Sequence, residues 1–131
     1  MRVLVCGSRT WSDKEAILKA LFSAEHEYDE YIKVLIHGGA NGADKLAGEA
    51  AREMCGYSVP KEQVLANTPE IRVFPANWNL YGKAAGFIRN QQMLDEGKPD
   101  LVLAFWDGES RGTKMMIDLA KKAGVPVKVI Q

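Results

Sequence analysis

Five short apolar segments, spread over the whole chain, constrain the fold more than any other feature of the sequence. Each segment is rich in Val, Ile and Leu, and none alternates strictly between apolar and polar residues. Such segments are typical of parallel strands in a sheet that is covered on both faces. The predicted strands are Arg2–Cys6, Lys33–His37, Ile71–Phe74, Leu101–Phe105 and Pro126–Ile130.

Between these segments, apolar residues recur with the 3.6-residue period of a helix that buries one face. These positions are Ala16, Ile17, Ala20, Leu21 and Ala24 in the first helix, Ala43, Leu46, Ala47, Ala50, Ala51 and Met54 in the second, Ala84, Phe87, Ile88 and Leu94 in the third, and Met115, Met116, Leu119, Ala120 and Ala123 in the fourth. Gln91 interrupts the third stripe. Alternating strands and helices indicate an α/β fold, and right-handed crossovers limit its topology. We predict a doubly wound, Rossmann-like parallel sheet of five strands in the order 3-2-1-4-5, with helices on both faces.

Length, charge and cysteine content narrow the classes of function. The 131 residues are expected to form a single domain, residues 1–131, in which Gly56–Glu70 is an irregular connection. Basic and acidic residues number 17 each, so the chain carries no polybasic tail. Cys6 and Cys55 make neither a disulfide framework nor a metal-binding spacing, so no metal is expected. Because no apolar run reaches the roughly 18 residues that span a bilayer, we expect a cytoplasmic protein without membrane contact.

Glycine-containing loops follow the first, second and fourth strands. These three strands are neighbours in the predicted order, and ligands of such sheets bind where the strand order reverses, at the carboxyl ends of the strands. The loops should therefore converge on one crevice. The candidate ligand-binding residues are Gly7, Ser8 and Arg9 in the first loop, Gly38, Gly39, Ala40, Asn41, Gly42 and Asp44 in the second, and Asp107, Gly108, Ser110, Gly112 and Thr113 in the third.

Two of these loops lead into helices, and free amides and the dipole at a helix N-terminus favour an anion. After the second strand, the helix begins near Gly42, where glycines let a phosphate approach the backbone. The alternative is a plain turn in which Asn41 is the N-cap and Asp44 stands in the first helical turn. After the fourth strand, Ser110 or Thr113 could donate to a phosphate. Alternatively, Ser110 is only an N-cap and Gly108 a turn residue.

Several other side chains have both a functional and a structural interpretation. Arg9 follows the first strand at the crevice, where a guanidinium can hold a phosphate with two hydrogen bonds. Arg89 lies on the third helix, and its pattern alone favours a surface salt bridge. His37 ends a strand, and we expect a structural role for it. Trp11, Trp78 and Trp106 flank loops, and packing is the expected role of each, with stacking on a base as the alternative.

Four motifs lie between the first strand and the last: Cys6-Gly7-Ser8-Arg9, His37-Gly38-Gly39-Ala40-Asn41-Gly42-Ala43-Asp44, Trp78-x-x-Tyr81-Gly82-Lys83-x-Ala85-Gly86-x-x-Arg89-Asn90-x-x-Met93 and Gly108-x-Ser110-x-Gly112-Thr113. In these motifs the sequence resembles the YspA-like members of the SLOG superfamily. The resemblance implies a domain that binds nucleotides or NAD-derived molecules, adds Arg89 and Asn90 to the candidate ligand-binding residues, and implies a homodimer.

The superfamily also contains the LOG-type phosphoribohydrolases, which cleave nucleoside monophosphates at the N-glycosidic bond. They use an arginine on the third helix and a glutamate in the motif Gly-Gly-x-Gly-Thr-x-x-Glu. Arg89 matches that arginine and is the one catalytic candidate, whereas Met116 stands at the glutamate position. Methionine can neither stabilise an oxocarbenium-like charge nor activate water. Asp44, Asp107 or Glu109 would have to replace the glutamate.

These observations lead to one expected function and two alternatives. We expect a binding module or sensor for the phosphate of a nucleotide or nucleotide-derived ligand, such as a nucleoside monophosphate, NAD or an ADP-ribose-like molecule. No permanently bound cofactor is expected. The first alternative is a LOG-like phosphoribohydrolase. The second is a DNA-binding protein like DprA, also a superfamily member, which the zero net charge disfavours because DNA binding requires a basic surface.

Overall fold

The computed structural model of the protein describes residues 1–58 and 69–131. Most of the connection predicted over Gly56–Glu70 therefore lies outside the described residues. Its first residues belong to a helix that continues through Ser58, and its last residue begins a strand.

A five-stranded, wholly parallel sheet forms the centre of the fold. Its strands are β1 (Arg2–Gly7), β2 (Val34–His37), β3 (Glu70–Val73), β4 (Leu101–Phe105) and β5 (Val127–Ile130). Their order is β3-β2-β1-β4-β5, which confirms the predicted order 3-2-1-4-5. Leu4 of β1 is paired with Ile36 of β2 on one side and with Val102 of β4 on the other. The strand order therefore reverses beside β1, as a Rossmann-like fold requires.

Within residues 1–58 and 69–131, five helices and one 3-10 turn connect the strands, and some of these helices begin at a side-chain cap. They are α1 (Lys14–Tyr28), α2 (Ala43–Ser58), the short α3 (Trp78–Tyr81), α4 (Ala85–Asp95) and α5 (Arg111–Lys122), and a 3-10 turn over Gly82–Ala84 joins α3 to α4. The Asp13 side chain accepts a hydrogen bond from Ala16 N and caps α1, while Asn77 caps α3 in the same way. In the described part of the chain, no helix has both the length and the apolar character that a membrane crossing needs.

Two apolar layers cover the sheet, one on each face. Val3 and Val5 pack with α1 and α2, and Leu4 packs on the opposite face with α4 and α5. This alternation follows the pleat, because successive strand side chains point to opposite faces. Four of the strands have their apolar side chains buried in these layers, or packed against them, on both faces of the sheet. The prediction of helices on both faces is therefore confirmed.

The apolar stripe predicted for the third helix is wrong in its phase. The buried residues of α4 are Ala85, Asn90, Met93 and Leu94, whereas Phe87 is half exposed. Two causes account for the error. The 3-10 turn before Ala85 shifts the start of the helix, and the polar Asn90 occupies a buried position because its side chain is hydrogen-bonded.

Candidate functional site

A cleft of about 480 Å³ opens at the carboxyl end of the sheet, between the loops after β1, β2 and β4 and the segment from α3 to α4. It gathers most of the candidate residues: Gly7, Ser8, Arg9, Ala40, Asp44, Arg89, Asn90, Asp107, Ser110, Gly112 and Thr113. A smaller groove of about 290 Å³ adjoins it and shares Arg9, Ala40 and Arg89. The candidates Gly38, Gly39 and Asn41 line only this groove. Gly42 and Gly108 line neither.

Ser8 ties the three loops together at the floor of the cleft. Its side chain is buried, and its Oγ accepts a hydrogen bond from Asp107 N at 3.1 Å. Its carbonyl oxygen accepts one from Ala43 N, the first amide of α2, at 3.2 Å. Gly42 has a φ of 78°, and a Cβ there would overlap the Ser8 carbonyl oxygen. The glycine at 42 therefore serves the close approach of two loops, which explains why it does not line the cleft.

The loop after β2 is an anion cradle that the protein fills with its own carboxylate. Asp44 Oδ2 accepts hydrogen bonds from Gly38 N at 3.1 Å and from Ala40 N at 3.2 Å. These two loop amides, which precede the N-terminus of α2, are thus already paired within the protein. Asn41 is not the N-cap of α2, because its Oδ1 accepts from Lys45 Nζ and the helix begins only at Ala43.

Burial raises the pKa of Asp44 to about 6. The hydrogen bonds from the two amides and the positive charges of Arg89 and Arg9 oppose this rise. A carboxyl group in such surroundings changes its charge close to neutral pH, which is a property common among functional groups. Asp44 lines the cleft while only 6% of its surface is exposed.

Arg89 reaches from α4 across the end of β2 instead of forming a surface salt bridge. Its Nη1 donates to the Gly38 carbonyl oxygen at 2.9 Å, and its Nε donates to Asn90 Oδ1 at 3.1 Å. A Cβ at position 38 would overlap Nη1, so any other residue there would displace the guanidinium from this position. Asn90 is buried, and its Nδ2 donates to the Gly112 carbonyl oxygen at 3.3 Å, which links α4 to α5. This network holds the guanidinium at the wall shared by cleft and groove.

The loop after β4 presents the N-terminus of α5 to the cleft. Asp107 Oδ1 accepts hydrogen bonds from the amides of Glu109 and Ser110, both at 2.8 Å, and these bonds lower the pKa of Asp107. Ser110 is the N-cap, with its Oγ 3.5 Å from Thr113 N and 3.0 Å from Thr113 Oγ1. The capping role considered for Ser110 is thus present. Gly112 and Thr113 line the cleft, so the first turn of α5 borders it.

Eight residues of the cleft wall were not among the candidate ligand-binding residues, and three of them are a cation or large exposed aromatic side chains. Lys83, in the 3-10 turn before α4, adds a third cation to Arg9 and Arg89. The sequence signal that could have identified Lys83 as a site residue is its position in the run Tyr81-Gly82-Lys83, just before a helix N-terminus. Trp78 and Phe87 line the cleft with half of their surfaces exposed. The apolar stripe predicted for α4 includes Phe87, so that pattern gives no sign that its ring lines the cleft.

The other two tryptophans and His37 have structural contacts. Trp11 packs on Phe105 with ring centroids 5.4 Å apart, and Trp106 Nε1 donates to the Ser110 carbonyl oxygen at 3.0 Å. His37 Nδ1 accepts from Gly39 N at 2.9 Å, and burial lowers its pKa to about 4. Residues 1–58 and 69–131 contain no group of three or more His, Cys, Asp or Glu arranged to hold a metal ion.

Comparison with known proteins identifies the family of the chain. A profile of the YspA, cpYpsA-related SLOG family matches residues 1–59, which include β1, β2 and the loops that follow them. The Gene 61 protein of Mycobacterium phage D29 is 40% identical over 126 residues, which cover 96% of this chain and 93% of the phage protein. The chain belongs to the YspA, cpYpsA-related SLOG family. No solved structure matches it significantly.

Within this SLOG protein, the position aligned with the LOG glutamate does not face the cleft. Met116 is fully buried in the apolar layer between α5 and the sheet, whereas its neighbour Met115 lines the cleft. Among the three carboxylates considered as replacements, Asp44 and Asp107 line the cleft. Asp107 is exposed, and its carboxylate accepts hydrogen bonds from its own loop, so Asp44 is the buried carboxylate of the site.

Proposed function

We propose that the cleft binds the phosphate of a nucleotide or nucleotide-derived ligand, and that the protein is a binding module or sensor. The observation that carries the proposal is the meeting of three cations, Arg9, Lys83 and Arg89, with the N-terminus of α5 in a single cleft. Guanidinium groups can hold a phosphate with paired hydrogen bonds, and a helix N-terminus adds free amides and a favourable dipole.

The charges within the cleft support this assignment. Its two carboxylates, Asp44 and Asp107, both accept hydrogen bonds from backbone amides. Asp44 also neutralises part of the charge of Arg89, which leaves Arg9 and Lys83 as exposed cations on the wall. Since Asp44 fills the cradle after β2, the phosphate would bind at α5 instead. Of the two helix-leading loops that the sequence indicates for a phosphate, the proposal therefore selects the loop after β4.

A thermal-shift screen tests the proposal with AMP, CMP, NAD, ADP-ribose and inorganic phosphate. Binding to the folded state adds about 2.7 kcal/mol of stability when the ligand is in hundredfold excess over its dissociation constant. Lys83→Gln should weaken this stabilisation, whereas the matched control Lys121→Gln, in the last turn of α5, should leave it unchanged. If no nucleotide raises the melting temperature of the folded protein, the proposal is wrong.

The position of Asp44 favours a second candidate, hydrolysis of an N-glycosidic bond. A buried carboxylate with a pKa of about 6 lies in the same cleft as Arg89. Such a group could activate water or stabilise an oxocarbenium-like transition state. Incubation with AMP, CMP and NAD, followed by chromatography, would show whether free base is released. If the wild type releases free base and neither Asp44→Asn nor Arg89→Ala does, the protein is an enzyme and the binding-module proposal is wrong.

A further inference from the structure

Trp78 and Phe87 are exposed inside the cleft. Trp78 has 52% of its surface exposed and Phe87 has 50%, while both line the same cavity. Large aromatic side chains are usually buried, and those exposed in a concave polar site commonly mark a binding surface. Trp11 and Trp106 differ from Trp78 and Phe87, because both pack against the apolar layers that cover the sheet.

Gly86 lies beside the indole of Trp78 and, having no side chain, leaves its edge accessible. A Cβ placed on Gly86 would lie 3.7 Å from Trp78 Cη2, which is an ordinary van der Waals contact. A methyl group would therefore fit, but a longer side chain at this position would cover the edge of the indole. Trp78 also borders the smaller groove, so the ring stands where the two cavities meet, near Arg9 and Arg89.

We propose that Trp78 and Phe87 form an aromatic slot that stacks the base of the ligand. This inference rests on the proposed function, because it assumes that the phosphate of the same molecule binds Arg9, Lys83 and the N-terminus of α5. A base and a phosphate held in one cleft select a nucleotide over a sugar phosphate or a free anion. Every base has a π face, so stacking alone tolerates different bases. Purines, with the larger ring, should bind more tightly than pyrimidines.

Isothermal titration with AMP, CMP and ribose 5-phosphate tests the slot, since ribose 5-phosphate lacks only the base of AMP. Wild-type protein should bind AMP about tenfold or more tightly than ribose 5-phosphate. Trp78→Ala should reduce the affinity for AMP to that for ribose 5-phosphate, and Trp78→Phe should restore most of it. The matched control is Leu80→Ala, because Leu80 is 66% exposed on the same short helix but does not line the cleft.

Gly86→Leu provides a variant in which the fold is preserved. Leucine is a better helix former than glycine, so its melting temperature without ligand should not fall. Its affinity for AMP should fall by about tenfold, while its affinity for ribose 5-phosphate stays unchanged. Equal affinities of the wild type for AMP and ribose 5-phosphate would disprove the slot and leave phosphate binding intact.

Two further outcomes would overturn more than the slot. If AMP, ribose 5-phosphate and inorganic phosphate all fail to bind, the proposed function is wrong as well. If a single-stranded oligodeoxynucleotide binds in a Trp78-dependent manner and AMP does not, the aromatic side chains serve nucleic acid and the small-ligand slot is disproved.

Discussion

His37 at the end of β2 and Asp44 at the start of α2 flank the same connection, and burial moves their pKa values in opposite directions. The pKa of Asp44 rises from 3.8 to about 6, and that of His37 falls from 6.5 to about 4, so that both are favoured in their neutral forms. His37 must be unprotonated at Nδ1 to accept from Gly39 N. Asp44 keeps its proton in the folded state where the unfolded chain has lost it, so its contribution to stability falls as pH rises through this interval. The contribution of His37 changes with the opposite sign.

Asp44→Asn should reveal this pH dependence directly. Asparagine keeps one oxygen for the amides of Gly38 and Ala40 but does not titrate. Between pH 4 and pH 7, the unfolding free energy of the variant should therefore rise by about 2 kcal/mol relative to that of wild type. Urea unfolding at both pH values measures the difference, in which the shared effect of His37 cancels. His37→Gln should change in the opposite direction, and a difference that is independent of pH would contradict the assignment for Asp44.

At the scale of the elements, the N-terminus of α5 has both a structural and a proposed binding role. Ser110 caps the helix, Asp107 fixes the loop before it, and Asn90 ties it to α4 through the Gly112 carbonyl oxygen. The first-turn amides of α5 have no intrahelical acceptor, as in any helix. An anion bound at this helix end would accept hydrogen bonds from these amides, which the surrounding contacts already hold in position.

Substitutions of Ser110 should separate these two roles of the helix end. Ser110→Ala should lower the free energy of unfolding by about 1 kcal/mol, because the N-cap is lost. Ser110→Asp should retain wild-type stability, since aspartate is an equally good N-cap. Its negative charge should nevertheless repel a phosphate, and AMP should no longer raise the melting temperature. If Ser110→Asp is stabilised by AMP as wild type is, the phosphate does not bind at α5.

At the scale of the elements, the sequence predicts the strands and their order but not the phase of α4 or the contacts of Asp44. The five strands and their order follow from apolar segments and crossover handedness, both of which are properties of the local sequence and general topology. The phase of α4 could not be predicted, because a 3-10 turn precedes the helix and Asn90 is buried through its hydrogen bond to the Gly112 carbonyl oxygen at the start of α5. The gathering of the three loops followed from strand order. The pairing of Asp44 with the amides of Gly38 and Ala40 required the three-dimensional arrangement of the loop.

At the scale of the whole molecule, α5 separates the core from the cleft. Consecutive residues on a helix point in directions about 100° apart, since 3.6 residues make one turn. Met116 accordingly packs fully buried against the sheet with Ile117 and Ala120, while Met115 lines the cleft and its Sδ lies 3.8 Å from Asn90 Nδ2. Alignment with the LOG motif identifies position 116 as the glutamate position, but the packing of this protein makes it a core position.

Glutamate at the two methionine positions should therefore have very different effects. Met116→Glu would place a carboxylate without a partner in the apolar layer and should cost about 3 kcal/mol or more of unfolding free energy. Met115→Glu would place the same side chain at the partly exposed cleft wall, where the cost should be below about 1 kcal/mol. Met116→Leu, which conserves volume, should cost less than about 1.5 kcal/mol and controls for the change of side chain. Urea unfolding at pH 7 measures the stability of all three variants.

Met116→Glu should also release no free base from AMP, because its carboxylate would lie behind the cleft wall. Stability of Met116→Glu close to that of wild type would mean that this face of α5 is not held against the sheet.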